Sequence, residues 1–151
     1  MSFPDTNHDN ISPSPMSQFK TKIHQIIQLI PEGKVASYGQ VALYAGIPRA
    51  ARQVGWILHQ SGHLDNLPWW RVVNNAGRIS IKGNLYCTPE MQKKLLESEG
   101  IKVNADLTLD IEKYRFLPDQ KFLKNLQLDD DYIETLLKKH FPFGQSNTNL
   151  E

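Results

Sequence analysis

Ser37-Tyr38-Gly39-Gln40-Val41-Ala42-Leu43-Tyr44-Ala45-Gly46-Ile47-Pro48-Arg49-Ala50-Ala51-Arg52-Gln53-Val54-Gly55 is the stretch that decides how this chain folds. Ser37 and Gln40 have the spacing of a capping box, in which the N-cap hydroxyl and the N3 side chain each satisfy the other's backbone N–H. They predict a short helix to about Ala45, and Gly46 is suited to the left-handed turn that ends it. Pro48 fits the first turn of a following helix, expected from Pro48 to about Gln60. Two helices joined by a turn containing Gly form a helix-turn-helix pattern. At ~100° per residue, Arg49, Arg52, Gln53, Trp56 and Gln60 share one face of the second helix, and Ala51, Val54 and Leu58 share the other. The apolar set is a core stripe. The other face suits phosphates and bases, but on this helix alone reads first as a solvated surface, on which Trp56 would sit badly.

Upstream, Phe19, Ile23, Ile26, Ile27 and Ile30 recur at helical spacing, with Ser17 as the expected N-cap and Pro31-Glu32-Gly33 as the stop. Residues 1–16 are rich in Ser, Pro, Asn and Asp without apolar periodicity, and are expected to be a disordered tail. Downstream, Trp70–Val73 and Arg78–Ile81 are β-prone runs around Asn74-Asn75-Ala76-Gly77 and predict a short hairpin. Thr88-Pro89 opens a helix to about Glu99, ended by Gly100. Residues 101–116 read as extended. Residues 119–140 read as one broken or two short helices, the last opened by Asp129-Asp130-Asp131 and closed by Lys138-Lys139-His140, the order the helix dipole favours. The expected organisation is a domain over 17–116, a helical extension over 117–140 and a flexible tail over 141–151.

The chain has 151 residues, 40% of them apolar, enough for one domain with a real core. Its single cysteine, Cys87, excludes an internal disulfide and fits a reducing compartment. No apolar run approaches the ~18 residues of a membrane span, and no secretory pattern opens the sequence; a cytoplasmic location is expected. The net charge of +1 hides a basic middle: residues 33–94 hold eight Lys/Arg against two Asp/Glu. A basic middle between acidic ends suits a polyanion.

Pro68-Trp69-Trp70-Arg71-Val72 carries the chemical reading. With Ile30-Pro31-Glu32-Gly33-Lys34-Val35, Ser37-Tyr38-Gly39-Gln40-Val41-Ala42, Ala51-Arg52-Gln53-Val54-Gly55 and Glu97-Ser98-Glu99-Gly100, it resembles the O6-alkylguanine-DNA alkyltransferases, segment by segment and in order, over roughly Phe19 to Phe116. Those enzymes carry Pro-Cys-His-Arg-Val where this chain has two tryptophans. The cysteine displaces an alkyl group from guanine, and the histidine helps form the thiolate. An indole has no lone pair free for displacement, and its N–H only donates. The pattern therefore looks like that of the alkyltransferase-like proteins, which bind damage without reversing it.

The resemblance implies a mainly α (α+β) fold: a winged-helix-like helix-turn-helix DNA-binding domain with a short β-hairpin, as in the C-terminal domain of those enzymes. It implies docking in the minor groove, unlike the usual major-groove mode. Tyr38 matches a tyrosine that presses on the phosphate beside the damaged nucleotide. Arg52 matches an arginine finger that fills the space left by the flipped base, a role suited to a planar guanidinium. Gln53, Arg49 and Lys34 are expected as further DNA contacts. Trp69, Trp70, Arg71 and Lys82 are expected at the lesion pocket, with Trp69 as its aromatic wall and Arg71 tying the motif to neighbouring backbone. Glu99 matches a relay glutamate and has neither thiol nor imidazole to serve. The implied partners are duplex DNA containing O6-alkylguanine and damage-recognition proteins of nucleotide excision repair. No membrane, cofactor or metal is expected, and a monomer is. Residues 117–140 lie outside the resemblance and either pack on the domain or bind a partner.

Two other classes compete. A residual methyltransferase-type enzyme would need Cys87, whose place before a helix start would lower its pKa somewhat. His59 and His63 are the nearest thing to a metal pair, with Gly62 between them and no acidic ligand nearby. A helix-turn-helix transcription regulator would read sequence in the major groove.

Overall fold

The computed structural model describes residues 14–61, 64, 66–81 and 87–140. Helix α1 (Pro15–Gln28) starts earlier than the sequence reading placed it: Ser14, not Ser17, is the N-cap, and its hydroxyl accepts from the Ser17 amide. The reason is local, since Pro15 at the first position fixes φ and needs no hydrogen-bond partner for a missing N–H. Phe19, Ile23, Ile26 and Ile27 bury the expected stripe.

Strand β1 (Ala36–Ser37) leads directly into α2 (Tyr38–Tyr44), with both halves of the capping box formed: the Gln40 amide donates to Ser37 Oγ at 3.0 Å and the Ser37 amide to Gln40 Oε1 at 2.9 Å. Gly46 ends the turn with φ +86°. Helix α3 spans Ala51–Ser61, so Pro48 and Arg49 lie in the turn before it rather than in its first turn. Val54, Ile57, Leu58 and Ser61 face inward. The α2–turn–α3 unit is a helix-turn-helix.

A 3-10 turn (Trp69–Arg71) feeds strand β2 (Val72–Val73). The expected pairing is corrected here. The Asn74–Gly77 turn forms, with the Asn74 amide donating to the Arg78 carbonyl. The runs on either side of it do not pair as a hairpin. β2 pairs in parallel with β1, Ala36 opposite Val72 and Ser37 opposite Val73, while Arg78 bridges Thr108. Burial explains the choice: both residues of each strand are covered, as a parallel pair requires. Gly77 (φ +82°) lies so close to the Leu109 carbonyl that no side chain fits.

Helix α4 (Pro89–Ser98) is capped by Thr88. The stretch read as extended contains a short helix, α5 (Ile111–Tyr114), capped by Asp110. The extension forms two helices, α6 (Gln120–Asn125) and α7 (Asp130–His140), with the Asp129 carboxylate accepting from the Asp131 and Tyr132 amides. One core unites α1, α2 and α3 with Leu123, Leu126, Ile133 and Leu136 of the extension. A second gathers Val35, Val73, Ile79, Leu96, Ile101, Val103, Leu109 and Ile111 around the sheet. Trp70 packs against both.

Candidate nucleic-acid interface

The capping box makes Tyr38 the first residue of α2, and this sets the first wall of the site. The Tyr38 ring lies against α3 at Gly55: a Cβ built there would sit 3.9 Å from its Cε1. Its hydroxyl is hydrogen-bonded to Ser80, and burial outweighs that bond and raises the phenol pKa. On α3, Arg52, Gln53, Trp56 and Gln60 are exposed. Trp56 is 59% exposed and stacks on His59, with ring centroids 6.0 Å apart. The two helices border a cavity of about 1060 Å³, lined among others by Tyr38, Arg52, Trp56, Ser80, Arg115 and Lys139.

Gln40 fixes the floor. Its Nε2 donates to the Phe116 carbonyl (2.8 Å) and to Tyr44 Oη (3.0 Å). Its Oε1 accepts from the Ser37 amide and from Arg115 Nη1 (2.8 Å). Arg115 also pairs with Glu112 at 2.8 Å. A helix cap thus positions a cation 75 residues away at the cavity. Sequence reasoning found the cap and missed Arg115, Ser80 and Lys139, because nothing local in the sequence marks a long-range partner.

The Trp-Trp motif is a separate assembly. Trp69 is 5% exposed in the main core and meets Trp70 edge to face, centroids 6.1 Å apart. Trp70 Nε1 donates to Glu99 Oε2 at 2.8 Å. Arg71 Nη2 pairs with the same oxygen at 2.7 Å, Nε donates at 3.1 Å, and Nη1 reaches the Ile30 carbonyl at 2.8 Å. The Gly33 amide donates to Glu99 Oε1 at 3.0 Å. Burial alone would raise the Glu99 pKa. The bonds from Arg71, Gly33 and Trp70 and the Arg71 charge outweigh it, and the carboxyl sits below its ordinary range.

The residues singled out from sequence therefore divide. Tyr38 and Arg52 meet at the cavity. Arg49, in the inter-helix turn, Gln53 and Lys34 are exposed without lining it. Trp69 lies in the core with the half-buried Trp70 packed against it, the half-buried Arg71 is held on Glu99, and none of the three lines the cavity. Lys82 falls outside the described residues. Cys87 is fully buried, and burial raises its pKa, so the expected lowering by the helix start is overturned: desolvation of the thiolate wins. Among the described residues no three His, Cys, Asp or Glu gather as a metal site, and His63 lies outside them.

Residues 18–101 match the family model described as 6-O-methylguanine DNA methyltransferase, DNA binding domain. A Vibrio parahaemolyticus protein named DNA base-flipping protein is 42% identical over 103 residues, 68% of this chain and all of that one. Alkyltransferase-like protein 1 of Schizosaccharomyces pombe is 36% identical over 107 residues, 68% of this chain and 98% of its own length. The crystal structure of S. pombe Atl1 in complex with damaged DNA containing O6-carboxymethylguanine superposes with a TM-score of 0.64 at 35% identity, covering 70% of this chain and 100% of that one.

Proposed function

The chain belongs to the family of the 6-O-methylguanine DNA methyltransferase DNA-binding domain, and from that membership we propose that it recognises alkylated guanine in duplex DNA without transferring the alkyl group. The observation that carries the reading is the meeting of Tyr38 and Arg52 at one cavity, in a protein whose only thiol is buried and pushed toward its neutral form. Tyr38 presses on the phosphate beside the lesion. A phenol is neutral at physiological pH, and burial raises the Tyr38 pKa further, so the phosphate meets a neutral side chain. Arg52 enters the stack as the guanine rotates out, replacing one planar partner with another.

Trp69 stands where the enzymes of the family carry their nucleophile and serves as an apolar wall for the flipped base. At 5% exposure, it meets the base only once the side chains now covering it have moved, so duplex binding has to drive that rearrangement. The absence of repair chemistry implies a handover, and excision-repair recognition proteins are the proposed recipients. The protein acts as a monomer, in the cytoplasm. Among the described residues no helix is long and apolar enough to cross a membrane.

The test is a direct competition between two duplexes that differ only in one O6-methylguanine. The damaged duplex is expected to bind more tightly, with no radiolabel passing from DNA to protein. Equal affinities, or label on any residue, would defeat the proposal.

A further inference from the structure

The extension beyond the family-matched stretch is not a passive cover. Its two helices are joined to the helix-turn-helix at several points. Leu123, Leu126, Ile133 and Leu136 are buried in the same core as α2 and α3. The Tyr132 hydroxyl donates to the Leu43 carbonyl at 2.6 Å, a second donor to an acceptor at the end of α2 that also takes the Gly46 amide. Leu128 lies against Gly46, the residue that makes the turn between α2 and α3; a Cβ there would be 3.6 Å from its Cδ2. Lys22 Nζ of α1 donates to the Leu126 carbonyl at 3.1 Å. The last turn of α7 is thereby fixed relative to α2 and α3, and it carries Lys139 to the wall of the cavity that Tyr38 and Arg52 share. Lys138, its neighbour, is not on that wall and sits 3.8 Å from Glu134, one turn back.

We propose that this C-terminal helical pair is part of the nucleic-acid interface, with Lys139 contacting the phosphodiester backbone of a duplex seated on the helix-turn-helix. The inference rests on duplex binding by the cavity face and adds a contact from a segment that the family match does not reach. The chemistry follows from placement. A lysine is a compact point charge that holds a phosphate without reading sequence. Along α7 the charges are segregated: Asp129, Asp130, Asp131 and Glu134 come first, and Lys138 and Lys139 close the helix. The basic end is the one at the cavity.

Counterion release gives the test a readout that a structural role would not move. Each phosphate neutralised contributes about 0.9 to the slope of log K against log salt concentration. Lys139→Gln, at an exposed position near a helix end, should bind damaged and undamaged duplexes about 5- to 10-fold more weakly at 0.1 M salt. The deficit should vanish towards 1 M, and the slope should be about 0.9 shallower. Lys139→Glu should lose more, and Lys138→Gln should keep the wild-type slope. Fluorescence anisotropy of both duplexes across a salt series reads all of these. A wild-type slope for Lys139→Gln overturns the proposal. Loss of lesion preference in the wild-type protein, with the slope change intact, would instead remove the reading of function and leave this contact standing. No binding of wild type to either duplex would remove both.

Discussion

Replacing Glu99 with Ala should destabilise the protein by about 3–5 kcal/mol, the cost of leaving one partner of a buried ion pair uncompensated. The figure follows from the geometry. The Glu99 side chain is 7% exposed and Arg71 15%, so water can replace the bonds only in part. The carboxylate accepts from Arg71 Nη2 and Nε, Trp70 Nε1 and the Gly33 amide. Its removal leaves the Nε and Nη2 of Arg71, an indole N–H and a backbone N–H without that acceptor at once, and only Nη1 keeps its bond to the Ile30 carbonyl. Against the ~5–15 kcal/mol stability of an ordinary domain, that is a large share. Urea unfolding followed by circular dichroism at pH 7 measures it. Arg71→Ala should cost a similar amount, and the double mutant less than the sum, by about 1–3 kcal/mol. Glu99→Gln keeps an acceptor and should lose less. The sign with pH is fixed by the lowered pKa: the contribution is fully present above the unfolded-state value and fades as pH falls through the folded one. The gap between wild type and Glu99→Gln should therefore narrow below about pH 4. Additive single mutants, or a gap that widens in acid, would refute the account of Glu99 as the strut between the Trp-Trp turn and the Gly33 loop.

Arg52→Ala should weaken binding of a lesion-bearing duplex by about 1–3 kcal/mol and an undamaged one by less, since only the flipped complex offers a space to fill; equal losses in a paired titration would reduce Arg52 to a phosphate contact. Trp69→Cys alone should remain inactive in a timed label-transfer assay, because a free thiol of pKa ~8.5 is mostly protonated at neutral pH and Trp70 has no acceptor to draw the proton away; rapid stoichiometric transfer would contradict this. Trp56 is 59% exposed and Trp69 5%, so iodide should quench mainly Trp56, Trp56→Phe should abolish most of that quenching, and bound duplex should protect it; unchanged quenching with DNA bound would place Trp56 outside the interface.

The elements that were legible in the sequence are those whose causes are local. Ser37 and Gln40 bond to each other across three residues, so their spacing alone located α2 and set Tyr38 at its start. Thr88-Pro89 located α4 in the same way. The first helix is capped by Ser14 rather than by the expected Ser17, because Pro15 suits its first turn. The hairpin failed for a different reason. Val72 and Val73 have the β-branched character of a strand, but their partner is Ala36-Ser37, far earlier in the chain, and composition cannot choose between a near and a distant partner. The site followed the same division. Tyr38 and Arg52 were visible through the motifs that carry them. Arg115 reaches the cavity because Gln40 accepts its Nη1, and Lys139 because α6 and α7 fold back onto α2; both depend on tertiary contacts.

The bonds around Glu99 also give a physical reason why two tryptophans can occupy this turn together. On the reading proposed above, Trp70 stands at the position of a relay histidine. An imidazole can donate to a carboxylate, and it can also give up or accept a proton as its partner changes. An indole N–H occupies the same acceptor and cannot be titrated at any ordinary pH. With Trp70 Nε1 at 2.8 Å and Arg71 Nη2 at 2.7 Å on a single oxygen of Glu99, that oxygen is committed to fixed donors. The Arg71 guanidinium lies 5.5 Å from the centre of the Trp70 ring, which adds a cation–π contact to the same assembly. A group that would otherwise pass a proton towards a nucleophile becomes a static tie between three segments. Restoring a thiol at residue 69 without also changing residue 70 therefore leaves the carboxylate bound to groups that cannot release it.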